Sequence, residues 1–382
     1  MTNESLSDVQ ALLGGEPSLA EQLFGSPFIE GDVGPKVIEQ TRRRLHVDRK
    51  HAILRERGFT WWPGDFAQHV DAAPPRRDAR ADVVRVRITT DWLCEVPDTP
   101  KTLALLSEAS HLATMNAFVW DRAAKTISLS ATVYCHSQNL RPGSLLVATC
   151  AVLQFFESAA WSPAAAELGA KLARSPRPHA RKSRTSASKQ MEELVESLRA
   201  GGTEPCKFSS EEFYQARAML GPEILAFASD NGLTAELPFF GSIPAALAPA
   251  NQTALLQVQG CEHPVIGSGA WLVLRLPVDC DRDLGGALAA HLNGAESWEW
   301  TRCHQLGSWC WDETTGLMFV SFIPSALAPM FHLGYFVMPM GLRSRWAFAE
   351  LWHVGAITSQ DVVARCSATL EEETEEERET VQ

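Results

Sequence analysis

Cysteine and histidine residues stand close together at three places in the chain, and such pairs could support two kinds of chemistry. The groupings are Cys303-His304 with Cys310, Cys135-His136, and Cys261 with His263. A thiol activated by an imidazole is the nucleophile of cysteine enzymes, and the same side chains bind zinc. None of the groupings has CxxC-like or HxxxH-like spacing, so buried or incidental thiols are favoured. We therefore predict no metal and no cofactor, with cysteine-dependent enzyme chemistry as the alternative function.

Other catalytic signatures are missing from the sequence. GxGxxG, the phosphate-binding P-loop, GxSxG and HExxH do not occur. Nucleotide transfer, triad hydrolysis and zinc proteolysis thus lack their usual motifs, which favours a protein that is not an enzyme.

Two aspartates occupy equivalent positions and could be taken for a pair of catalytic carboxylates. Asp121 follows Trp120, and Asp312 follows Trp311, each at the start of a short turn between two strand-like segments. An aspartate at this position commonly binds its own backbone, while the preceding tryptophan packs into the core. We interpret all four residues as parts of structural hairpins.

Composition indicates a soluble protein that folds into about two domains. The chain has 382 residues, of which 45% are hydrophobic and 21% charged, and its formal net charge is −12. This charge argues against nucleic acid as the partner of the whole chain, because phosphate binding requires a basic surface. Nine cysteines without CxxC spacing and an N-terminus without a basic, apolar leader predict a cytoplasmic location. The apolar run at 144–156 is too short to span a bilayer and predicts a buried helix, so no membrane contact is expected.

The elements around the two Trp-Asp pairs follow the same order. In the first copy, strand VVRVRIT precedes an amphipathic helix that begins with Thr99 and Pro100, and the hairpin FVWD…ISLSATV follows. In the second copy, WLVLRLPV precedes a helix and the hairpin SWCWD…LMFVSFI. This repetition predicts an α+β fold with two tandem related two-layer sandwiches, each a mostly antiparallel sheet with helices in the order α-β-β-β-α-β-β-α.

Five segments follow from this organisation. They are an N-terminal arm at 1–40, a first α+β domain at 41–170, a basic flexible linker at 171–204, a second α+β domain at 205–357 and an acidic disordered tail at 358–382. The first domain is predicted to open with a basic helix over 41–57, which Gly58 ends. The tail carries seven glutamates and one arginine between Glu371 and Glu379. Such a block is typical of a solubilising tail, or of a segment that folds back on a basic part of the chain.

The order of elements, with a Trp-Asp hairpin between the second and third helices, resembles the bacterial YbjN and type III secretion chaperone family. The resemblance covers roughly 41–165 and 208–355 and depends on the element order and on the two Trp-Asp pairs. It implies compact α+β sandwiches that bind other polypeptides and have no catalytic residues. Because secretion chaperones commonly form homodimers, it also implies that the chain is pseudo-dimeric by itself and can act as a monomer. The basic linker, the strand insertions and the abundant tryptophan depart from a simple secretion chaperone.

Tryptophan is unusually frequent, with twelve residues against three tyrosines. Most are expected in the core, but tryptophan near turns also anchors interfaces, and methionine in Pro-broken apolar stretches suits adaptable peptide binding. We predict that the chain is a chaperone or adaptor that binds another protein or peptide. The predicted partner-binding residues are Trp61, Trp62, Trp298, Trp300, Met330, Met338 and Met340. Contact of the basic segments 41–57 and 171–189 with nucleic acid or another anionic surface is a further alternative.

Overall fold

The structure is a computed structural model. It describes residues 29–49, 52–78, 81–174, 191–194, 196, 208–222, 224–239, 253–263, 266–301 and 303–357. Helices and antiparallel sheets make up these residues, so the α+β prediction is confirmed.

The first half forms one sheet with helices on its inner face. Its elements are α1 (Gly34–Arg44), β1 (Ala52–Arg55), β2 (Gly58–Trp61), β3 (Gln68–Ala72), β4 (Arg76–Arg77), β5 (Asp82–Cys94), α2 (Pro100–His111), β6 (Ala117–Asp121), β7 (Thr126–Cys135), α3 (Leu140–Ala160), α4 (Ser162–Leu168) and β8 (Lys171–Leu172). The strand order is β1-β2-β3-β5-β7-β6, and β4 and β8 also pair with β5. The alternation predicted for β5 is confirmed, because Val84, Val86 and Ile88 are fully buried while Arg85 and Arg87 are only partly buried.

The second half has the same kind of sheet. Its elements are α5 (Ser210–Met219), β9 (Ala226–Ser229), β10 (Gly232–Pro238), β11 (Thr253–His263), β12 (Gly267–Arg275), α6 (Arg282–Trp298), β13 (Ser308–Asp312), β14 (Gly316–Pro324), α7 (Gly334–Val337) and α8 (Pro339–His353). The strand order is β9-β10-β11-β12-β14-β13. This order matches that of the first sheet, with β9 at the place of β1 and β13 at the place of β6. That the two halves arose by duplication stays a prediction.

Several boundaries differ from those expected from the sequence. The predicted helix over 41–57 is wrong, because α1 begins at Gly34 and ends at Arg44, while Ala52–Arg55 forms β1. Pro35 favours the earlier start, since proline fits the first turn of a helix. Lys171–Leu172 pairs with β5, so the first sheet continues into the range predicted as linker. The predicted tail, the first 28 residues of the predicted arm and most of the linker lie outside the described residues.

Backbone hydrogen bonds join the two halves, and equivalent positions of both halves take part in them. Thr132 and Gln305 exchange a pair of N–H to carbonyl bonds at 3.1 and 3.0 Å, and the Phe322 N–H donates to the Thr114 carbonyl at 3.2 Å. Thr114 and Gln305 each precede the hairpin tryptophan of their own half by six residues. The contact is therefore of the kind seen across a two-fold axis, where equivalent groups meet in both directions.

Helices from both halves lie at this junction. α2 packs against α6 and β13, and α6 packs against both β13 and β6. Within the second half, α6 also lies very close to β13: a Cβ added at Gly285 on α6 would lie 2.1 Å from the Trp311 indole. One continuous cluster of buried apolar side chains extends through both halves. The two sheets are thus parts of one packed body.

The apolar run predicted to be a buried helix is α3. The helical stretch Ser137–Ala160, which contains α3, is the one in the described residues that is long and apolar enough to cross a membrane, and 72% of its most apolar window is buried. α3 packs against β5 and β7. α3 is thus a core helix of the first half.

Candidate partner-binding surface

Two of the predicted tryptophans lie on the outer face of the first sheet. Arg85 and Arg87 alternate with buried valines on β5, so their side chains leave the sheet on the side opposite the core. The segment Trp298-Glu299-Trp300, which begins with the last residue of α6 in the second half, crosses this face. The surface is therefore composed of residues from both halves.

Arg85 holds this segment in place. Its Nη1 donates to the Trp298 carbonyl at 2.7 Å and to the Glu299 carbonyl at 2.9 Å. The last carbonyls of a helix have no partner within the helix, and a cation near them is favourable. Arg85 thus caps the C-terminus of α6 from the other half of the chain.

The neighbouring arginines stack on the two indoles. The Cζ atom of Arg87 lies 4.0 Å from the centre of the Trp298 ring, and that of Arg76 lies 5.5 Å from the centre of the Trp300 ring. Cation–π contacts of this kind fix the orientation of both partners. Trp298 nevertheless remains 63% exposed, so much of its indole faces solvent. We refer to Arg76, Arg85, Arg87, Trp298 and Trp300 as the Arg–Trp surface.

The Arg87 guanidinium has no carboxylate bound directly to it among the described residues. Burial lowers the pKa of Arg87, and the nearby Arg85 lowers it further, while Asp71 acts in the opposite direction. Asp71 already binds Arg55 at 2.7 Å. Within the described residues, the Arg87 guanidinium forms no hydrogen bond and no ion pair. A partly buried arginine in this state would gain from an added carboxylate or phosphate.

Trp300 is anchored at its inner edge by further aromatic rings. Its ring centre lies 4.9 Å from that of Tyr134 in an edge-to-face arrangement, and Tyr134 stacks on His304 at 6.0 Å. The Tyr134 hydroxyl accepts the Thr301 N–H at 3.2 Å. Trp300 is thus positioned by the core, and Trp298 is the more accessible of the two indoles.

The other predicted binding residues do not belong to the Arg–Trp surface. Trp61 is only 2% exposed and donates from Nε1 to Gln68 at 2.8 Å, so it contributes to the core rather than to a surface. Met340 is likewise buried, because it faces the core at the start of α8. Trp62 is half-buried. Met330 and Met338 are exposed but flank the short helix α7.

The hairpin residues make the local contacts of tight turns. Asp121 Oδ1 accepts the Ala124 N–H at 2.8 Å, and Asp312 Oδ1 accepts the N–H groups of Thr314 and Thr315 at 2.9 and 3.0 Å. Trp120 is buried, and Trp311 is half-buried against Gly285. Both aspartates are therefore engaged with their own turns.

Two of the Cys-His pairs meet at the junction of the halves, but their thiols are not activated. Burial raises the pKa of Cys135 and of Cys303 to about 12, which keeps both thiols protonated. Burial lowers the pKa of His304 to about 4. His304 accepts the Tyr134 N–H on Nδ1 at 3.0 Å, and its Nε2 lies 2.6 Å from the Tyr335 hydroxyl. Both ring nitrogens thus have structural partners, and the described residues contain no cluster of three metal-ligating side chains.

A second polar array was not foreseen from the sequence. Thr60 Oγ1 lies 2.9 Å from His69 Nδ1, and His69 Nε2 lies 3.1 Å from Asp91 Oδ2. The order hydroxyl, imidazole and carboxylate resembles that of a hydrolytic triad. Thr60 is only 4% exposed, however, and its hydroxyl accepts a hydrogen bond from Arg55 at 2.7 Å. We interpret the array as cross-strand hydrogen bonding on the polar face of the sheet.

Two clefts flank the hairpin turn between β13 and β14. The larger, of about 830 Å³, lies between α2 and α6, and the smaller, of about 630 Å³, lies beside β11 and β12. Charges of both signs line the larger cleft, including Lys101, Arg282, Glu108 and Asp283. The Arg–Trp surface differs in that it carries three arginines close together, on β4 and β5.

Comparison with protein families, curated proteins and solved structures finds no match to this chain. Trp298 and Trp300 of this surface were among the residues predicted from the sequence, whereas the arginines beneath them were not. Two arginines separated by one residue on a predicted strand were a usable signal. Nothing in the sequence indicated that a segment of the second half crosses this strand.

Proposed function

We propose that this protein is a non-catalytic adaptor or chaperone that binds a partner polypeptide on the Arg–Trp surface. The observation that carries the proposal is the state of Arg87: it lies partly buried beneath an exposed tryptophan, with no anion bound to it among the described residues. Tryptophan and arginine are the residues most often found at the energetic centre of protein interfaces.

The chemistry of the surface favours an acidic segment that also carries apolar side chains. A guanidinium group can bind a carboxylate through two parallel hydrogen bonds, and the open face of Trp298 offers an apolar platform beside it. A carboxylate bound to Arg87 would also compensate for the contacts with water that this arginine loses by burial. The partner is therefore expected to present at least one aspartate or glutamate next to a hydrophobic residue.

Single-stranded nucleic acid is the main rival as a ligand, because alternating arginine and tryptophan also suits phosphates and stacked bases. The net charge of −12 weighs against it, since the surrounding field repels a polyanion over long distances. Cysteine chemistry has less support, because the Cys135 and Cys303 thiols are held in the protonated form.

The resemblance to the YbjN and secretion chaperone family leads to the same function, and a cytoplasmic location goes with it. The matched strand orders of the two sheets support the comparison with a chaperone dimer contained in one chain. Both remain parts of the proposal.

A pull-down of the tagged full chain from its native cells, after nuclease treatment, tests the proposal. Trp298→Ala and Arg87→Ala should each lose a stoichiometric protein partner. Trp352→Ala is the matched control, because Trp352 is also exposed, at 43%, but lies on α8 outside the Arg–Trp surface. Retention of the same partner by both surface variants, confirmed with the purified partner, would reject this surface as the binding site.

A further inference from the structure

The acidic tail of this chain has the composition that the Arg–Trp surface favours. Between Glu371 and Glu379 it carries seven glutamates, with Leu370 directly before them. We propose that this acidic tail binds the Arg–Trp surface and competes with the partner polypeptide for it. This inference rests on the proposed function and assigns an internal regulator to the same site.

The described chain ends close to this surface. Trp346 on α8 donates from Nε1 to Glu299 Oε2 at 3.2 Å, so the middle of α8 lies next to the segment between Trp298 and Trp300. Leu351 follows Trp346 by five residues, which is about 7.5 Å along a helix. The Ile357 N–H donates to the Leu351 carbonyl at 3.3 Å, so the last described residue folds back onto this turn.

The length of chain beyond Ile357 is sufficient to reach the arginines. Glu371 lies fourteen residues further on. An extended chain of this length spans up to roughly 45 Å. A segment tethered this closely acts at an effective concentration on the order of millimolar. Even a weak intrinsic affinity for the surface would then keep it occupied.

Opposite charges favour binding of the tail to this surface. Arg76 is exposed and Arg87 lacks a bound anion, whereas the rest of the chain is acidic on average. The attraction between the glutamates and this basic site acts over about 8–10 Å at physiological salt. Opening of the site should therefore respond to ionic strength and to any stronger acidic competitor.

A fluorescence anisotropy titration with a labelled peptide of residues 368–382 tests the inference. The peptide is titrated against the full chain and against a full-length variant in which the seven tail glutamates are replaced by glutamine. The variant should bind the peptide at least tenfold more tightly, because its own tail no longer competes. Adding Arg76→Ala and Arg87→Ala to that variant should abolish binding. Arg43→Ala with Arg49→Ala removes the same charge from exposed positions at and after the end of α1, outside the Arg–Trp surface, and should leave binding unchanged. Arg85 is not altered, since it caps α6.

Each result decides a different point. Equal, arginine-dependent affinity for both proteins would show that acidic segments bind the surface but that the tail does not occupy it, so the inference fails while the proposed function stands. No binding of the peptide to either protein also overturns the inference, and the pull-down then decides the function independently. If a single-stranded oligonucleotide binds more tightly than the peptide and depends on the same arginines, both proposals give way to a nucleic-acid site.

Discussion

The Ser107 hydroxyl, on α2 of the first half, accepts the Trp311 N–H at 3.0 Å and donates to the Trp311 carbonyl at 2.5 Å. β13 is the last strand of the second sheet, and Asn293 makes a matching pair of bonds with the backbone of Trp309. Unpaired edge strands tend to associate with other chains. The side chains of one serine, Ser107, and one asparagine, Asn293, therefore bind the backbone along this edge at the junction of the halves.

Ser107→Ala should lower the free energy of unfolding by about 1–3 kcal/mol, because it leaves two backbone groups of Trp311 without their partner. The change is measured by urea unfolding of the full chain. Ser229→Ala is the control: Ser229 is exposed and donates only a long bond of 3.4 Å to Gly232, so its loss should cost less than about 0.5 kcal/mol. Equal effects of the two substitutions would contradict the role assigned to Ser107.

The buried carboxyl of Glu157 should make stability depend on pH. Burial raises its pKa from 4.5 to about 7, against hydrogen bonds from Thr114 and Asn116. Between these values the folded protein keeps the proton that the unfolded chain releases, so stability falls as pH rises from about 4.5 to 7. The loss should be on the order of 3 kcal/mol. Urea unfolding at several pH values should show this loss in the native chain but not in Glu157→Gln, and parallel curves would contradict it.

The buried ion pair between Arg343 and Glu296 should be costly to break from one side. Arg343 Nε donates to Glu296 Oε1 at 2.9 Å, and the Trp309 indole N–H donates to Glu296 Oε2 at 2.8 Å. Arg343→Met leaves an unpaired buried carboxylate and should destabilise the protein by about 3–5 kcal/mol. Adding Glu296→Gln should restore part of this loss. A double-mutant cycle measured by unfolding would reject the coupling if the two effects simply add.

Replacing either of two tryptophans that were predicted to bind the partner should have different effects on stability. Trp61→Ala should destabilise the fold by about 3–5 kcal/mol, since it removes a buried indole and leaves Gln68 without that donor. Trp298→Ala should cost only about 0.5–1 kcal/mol, the value of its exposed cation–π contact, yet abolish partner binding. Thermal unfolding and the pull-down together distinguish these outcomes. A large loss of stability in Trp298→Ala would mean that this residue has a structural role.

Local patterns predicted the elements that local forces determine. Alternation in β5, the start of α2 at Thr99 and Pro100, and the hairpins after Trp120 and Trp311 all follow from short-range sequence signals. The prediction of a helix over 41–57 was wrong because a tight turn at 55–58 joins β1 to β2. The many basic residues of this range resemble one face of a helix, and they gave no sign of the short strand β1. Exposure of individual tryptophans could not be predicted, because Trp61 and Trp298 both lie near turns and differ only in what packs on them from distant parts of the chain.

The Arg–Trp surface takes its arginines from one half of the chain and its tryptophans from the other. Neither half presents the complete site before the two have folded and docked. Under the proposed function, a partner would therefore bind only a chain whose two halves have folded and packed against each other. A fragment that ends between the halves should be ignored by the partner even if its own sheet folds correctly.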